Sequence, residues 1–140
     1  MIKRIAIVFG ALFVLAGILG FMPGDTAFEP GGEEGRLFGA FAVDDLHNAV
    51  HVLTGIAAIA VGLTTEAACR MFFRIFGVIY GLVAVAGFAY GSGPLFGIMA
   101  NNLADAALHT LVATVALFLG FGHLLERFEH HGDPGTHHPA

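Results

Sequence analysis

One cysteine, Cys69, stands alone in the 140 residues, so no intrachain disulfide can form and the redox compartment is left open. Tryptophan is absent, so any aromatic belt at a membrane surface must use Tyr80, Tyr90 and phenylalanines. Charge is sparse at 12% of residues, and the six Lys and Arg build no basic patch, which argues against a nucleic-acid partner. No Walker loop, nucleophile elbow or CxxC occurs, so the common catalytic signatures are missing. An enzyme is therefore the third reading of this chain, behind two non-catalytic ones. What it has in quantity is apolar surface. Hydrophobic residues make up 56%, glycines number 20 and the mean hydropathy is +0.79, the profile of a polytopic membrane protein.

Four apolar segments follow from breakers and caps. The apolar run 5–22 follows Lys3 and Arg4 and closes at Pro23-Gly24; it is long enough to span, and no clean cleavage site follows it, so a retained transmembrane helix over about 4–22 is expected rather than a signal peptide. Pro, Gly and charges mark 23–42 as a solvated loop. Asp44 or Asp45 can cap a helix over 44–63, and Thr64 or Thr65 one over 66–90. Tyr90-Gly91-Ser92-Gly93-Pro94 breaks the chain, and Asn101 or Asn102 caps a helix over 102–122. A transmembrane domain of 1–128 and a flexible, His-rich cytoplasmic tail of 129–140 result. Lys3, Arg4, Arg70, Arg74 and Arg127 cluster at the termini and the 64–74 connection, so both termini are expected in the cytoplasm of a bacterial inner membrane.

The chain also repeats. Shifted by 58 positions, LFGAFAVDDLHNAVHVLTGIAAIAVGL (37–63) aligns with LFGIMANNLADAALHTLVATVALFLGF (95–121), identical at nine of 27 positions, among them the Leu-Phe-Gly triplet and His51 with His109. Phe9-Gly10 and Gly20-Phe21 align more weakly with Phe76-Gly77 and Gly87-Phe88. The expected fold is all-α: a four-helix transmembrane bundle of two tandem helical hairpins, related by a pseudo-two-fold axis along the membrane normal.

Gly20-Phe21-Met22-Pro23-Gly24, LFGAFAVDDLHNAVHVLTG (37–55) and Asn102-x-x-Asp105-x-x-Leu108-His109, in that order and spacing, resemble the DUF4383 family of small bacterial membrane proteins. The resemblance covers about 120 residues. It implies a four-helix integral membrane protein and brings no established activity.

His47, His51, Gly55, Ala58 and Gly62 lie along one helix face, as do Asp105, His109, Ala113, Ala116 and Gly120. Each stripe is polar at its start and small beyond, so both should face protein, where small residues let helices approach closely. In the bland reading, Asp44, Asn48 and Asn102 are structural polar groups. Asn102 with Asp105 then forms a capping-box-like pair, and His51 and His109 hydrogen-bond across helices. The chain is then a structural or accessory membrane subunit, packing through its Gly/Ala stripes into a homo-oligomer or a larger complex. The sharper reading is a bound cofactor. His47, His51, Asp105 and His109 would suit a divalent transition metal, or His51 and His109 could be axial ligands of haem b. A proton or ion relay along these groups is a further option. Cys69 reads as a small apolar residue. His130, His131, His137 and His138 could bind metal adventitiously.

Overall fold

The computed structural model describes residues 1–22 and 35–131, with side chains as far as Gly122. Four helices form: α1 (Ile2–Gly20), α2 (Asp45–Gly62), α3 (Glu66–Tyr90) and α4 (Leu103–His131). Three stretches are long and apolar enough to cross a membrane: α1, α3 and Leu103–Gly122 of α4. The 18 residues of α2 fall outside that set, because Asp45, His47, Asn48 and His51 crowd its first turns. The expected end of the fourth helix near Gly122 is corrected: the helix continues to His131. The rest of the proposed 129–140 tail, and residues 23–34 of the first loop, lie outside the described residues.

The caps lie where short polar side chains precede the apolar runs. The Asp44 side chain accepts from the His47 backbone N–H at 2.7 Å, and Thr65 does the same for Ala68 at 3.2 Å. At α4 the capping is reciprocal. Asn102 Oδ1 accepts from the Asp105 N–H at 3.0 Å, while Asp105 Oδ2 accepts from the Asn102 N–H at 2.9 Å.

Each helix packs along its chain neighbour, α1 on α2 and α3 on α4, whereas α2 and α3 meet over a much shorter stretch. Glycines set the close pairs. A Cβ at Gly10 would stand 2.5 Å from the Gly55 carbonyl oxygen and 2.7 Å from Ile59, and one at Gly77 would stand 2.9 Å from Leu117. Gly62 lies against Ile7 as Gly120 lies against Arg74, and Gly20 against Asn48 as Gly87 against Ala106. Between the pairs lies an apolar core of Phe13, Phe73, Phe76, Tyr80, Ala113 and Ala116, closed below by Ile2, Ala6 and Cys69.

The sequence reading missed a small antiparallel hairpin, β1 (Gly35–Leu37) with β2 (Phe41–Val43), ahead of α2. Its turn puts Phe38 and Gly39 at φ +55° and +69°, as the primed hairpin turns require. Leu95 pairs with Met99 in the same manner ahead of α4, with Phe96 and Gly97 at φ +54° and +75°. The two loops are laced together. Ala42 N–H donates to Asp105 Oδ2 at 3.1 Å, Ala100 N–H donates to Asp44 Oδ2, and Asn102 Nδ2 donates to the Ala40 carbonyl at 2.8 Å.

Candidate metal centre

Three histidines converge beneath the laced loops. The i,i+4 spacing on α2 stacks His47 over His51, and their Nε2 atoms stand 3.2 Å apart. His109 reaches them from α4, its ring 5.9 Å from that of His47 and 6.3 Å from that of His51. One ring nitrogen from each of the three lies within 4.8 Å of the others. His47 and His109 are buried and His51 is half-buried.

Aromatic rings hold this trio in place. Phe13 of α1 lies 5.0 Å from the His51 ring, and Tyr80 of α3 meets the His109 ring edge-on at 4.8 Å. All four helices therefore contribute: α2 and α4 supply the histidines, and α1 and α3 supply the aromatic frame. Phe13 was not singled out from the sequence, and Tyr80, expected as a membrane-surface aromatic, is instead buried against His109. Their only signal is an aromatic at helical spacing, which core packing produces anyway.

Asp105 stands outside the trio. It is buried, and its Oδ2 already accepts from Ala42 and Asn102, so this carboxylate ties loop to helix. Asp44 does likewise through His47 and Ala100. Asn48 is buried against Gly20 at the end of α1. Asn101, named in the sequence as a possible cap for α4, instead serves α3. Its Nδ2 donates to the carbonyls of Gly87, Gly91 and Gly93 at 3.3, 2.9 and 3.4 Å, closing that helix's C-terminus.

Two nitrogens bound tetrahedrally at about 2.0–2.1 Å to one zinc ion stand about 3.3 Å apart. The His47 and His51 nitrogens already hold close to that spacing at 3.2 Å, and a ring nitrogen of each of the three histidines lies within 4.8 Å of the others. The cluster is also short of hydrogen bonds: the Nδ1 atoms of His47 and His109 are buried with no partner among the described residues. An orphaned buried ring nitrogen costs about 1–3 kcal/mol, and coordination recovers it only where the orphan itself ligates, which is open to His109 Nδ1 but not to His47 Nδ1 when His47 binds through Nε2. Haem fits poorly. A porphyrin between His51 and His109 needs a flat slot there, and His47 lies within 4.8 Å of both ligating atoms.

Two cavities flank the trio. One, of about 310 Å³, runs between α2 and α3; the other, of about 150 Å³, lies under the β1–β2 hairpin beside Asp105 and Leu108.

Residues 3–122 match the family model described as "Domain of unknown function (DUF4383)". The chain belongs to the DUF4383 family. The match runs from the start of α1 through Gly122 of α4, so it takes in both loops and all three histidines. No curated protein and no solved structure matches the chain.

Proposed function

We propose that this DUF4383 protein is a metal-binding integral membrane protein that holds one divalent first-row transition ion on His47, His51 and His109. The observation that carries the reading is the convergence of three ring nitrogens within 4.8 Å, two of them on the buried side chains of His47 and His109. Imidazole suits zinc, copper, iron and nickel, and three histidines leave a fourth position open, as in catalytic rather than structural zinc sites. Asp105 acts outside the coordination sphere, fixing the loop over the site.

The accessory-subunit reading relied on the Gly/Ala stripes as a surface for partners. Gly55, Gly62, Ala113, Ala116 and Gly120 are buried within the chain, which supports the metal reading over that one.

In this proposal the hairpins α1–α2 and α3–α4 are tandem repeats, supported by the matching turns at Phe38-Gly39 and Phe96-Gly97 and by the matching glycine contacts. The protein lies in a bacterial inner membrane with both termini cytoplasmic. The paired loops then lie at the outer face, as expected from its distribution of Lys and Arg.

The test is direct. Purified protein incubated with Co(II) and desalted should retain about one ion per chain with a tetrahedral visible spectrum. His51→Ala and His109→Ala should each weaken binding by at least about 100-fold, since each removes one of three ligands. Retention of full affinity by either variant refutes the site.

A further inference from the structure

The larger cavity has a shape the metal alone does not explain. On α2 it is lined by Val50, Thr54 and Ala57, continuing below His51, and on α3 by residues from Phe72 to Val83. Val50 to Ala57 is about 10 Å of helix rise. A volume of about 310 Å³ over that length gives a cross-section of about 30 Å², room for one hydrocarbon chain. The groove opens sideways where α2 and α3 diverge: Ile75 and Ile79 on its rim are 54% and 53% exposed. In a bilayer that exposure is to lipid. Apart from Thr54, its walls are apolar except at one level, where His47, His51, His109 and the Tyr80 ring edge converge.

We propose that this groove binds a single-chain fatty carboxylate from the bilayer, with its tail between α2 and α3 and its carboxylate on the open position of the metal held by His47, His51 and His109. The inference rests on the metal reading and adds a ligand class to it. Charge selects the head. Three neutral imidazoles add nothing to an ion's 2+ charge, so the site is cationic and is best neutralised by an oxygen anion. Position selects the tail. The groove is reached sideways from the hydrocarbon layer past Ile75 and Ile79, and His51 lines it. Binding of this kind breaks no bond and needs no co-reactant.

The experiment uses the full chain in phosphatidylcholine nanodiscs, loaded with Co(II), and reads the visible Co(II) bands during titration with oleate. A saturable change at about one oleate per chain is expected, because a carboxylate enters the first coordination shell. Methyl oleate, which has the same tail and no anionic head, should leave the bands unmoved. Ala57→Phe fills the groove from its exposed wall and should weaken the oleate response at least about tenfold while Co(II) stays bound. Leu53→Phe, on the lipid-facing side of the same helix, should respond to oleate as the unsubstituted protein does. Bound Co(II) with bands indifferent to oleate overturns the inference and leaves the metal reading standing. An equal response to methyl oleate, or an equal loss in Leu53→Phe, also overturns it. Failure to bind Co(II) overturns both.

Discussion

At the scale of single residues, two kinds of polar side chain share one small region and do different work. Asp44, Asn101, Asn102 and Asp105 answer backbone N–H and C=O groups that helix ends and hairpins leave unpaired. The histidines answer one another only in part, since two of their ring nitrogens have no partner among the described residues. This division gives a discriminating prediction. Asp105→Ala strands the Ala42 and Asn102 N–H groups, so unfolding in detergent should become easier by about 1–3 kcal/mol, while Co(II) affinity falls much less than in the histidine variants. Parallel Co(II) titrations and thermal melts check it. Loss of Co(II) as complete as in His51→Ala, with the melt unchanged, would make Asp105 the fourth ligand that its sequence position suggested.

At the scale of helices, glycine placement decides which pairs pack closely. Gly10→Ala drives a methyl group to 2.5 Å from the Gly55 carbonyl oxygen, and Gly77→Ala sets one 2.9 Å from Leu117. Each should destabilise its hairpin by about 1–3 kcal/mol, the usual cost of overpacking. Gly81→Ala is the control: its added methyl finds no atom nearer than 4.0 Å, and helix propensity favours Ala over Gly by about 1 kcal/mol. Its thermal midpoint should hold or rise, and a fall as large as that of Gly10→Ala would refute this account of the packing. The loops obey a different constraint. Gly39 and Gly97 have open space around them but positive φ, so alanine there costs about 1 kcal/mol or more through backbone strain rather than collision.

For the whole molecule, the proposed metal site belongs to neither half. His47 and His51 come from the first hairpin and His109 from the second, and the loops that roof them exchange hydrogen bonds across the same divide. A chain split between Leu63 and Glu66, with the halves co-expressed, should recover Co(II) binding, while each half alone should bind much more weakly. Equal binding by the first half alone would move the site onto α2 and remove His109 from it. The same divide accounts for the groove. Extensive packing is confined within each hairpin, so the α2–α3 seam is where the bundle parts enough to hold a ligand.

Composition and local pattern alone carry the membrane-like character, the number of helices, their caps to within one of two neighbours (Asp44 or Asp45, Thr64 or Thr65, Asn101 or Asn102), and the inward stripes of His47 and His109. Those features follow from apolar length, local capping chemistry and helical periodicity, all of which act within a few residues. Even the pairing of His51 with His109 was legible, because the repeat sets them at the same distance past their caps. Tertiary structure alone decided the rest. It put Phe13 and Tyr80 against the imidazoles, turned Asn101 toward α3 and drew Asp105 to a hairpin 63 residues away. It also left a groove at the α2–α3 seam. These outcomes depend on which helix faces lie opposite one another and on which orphaned backbone group is nearest. Neither quantity is written in the spacing of residues along a single helix.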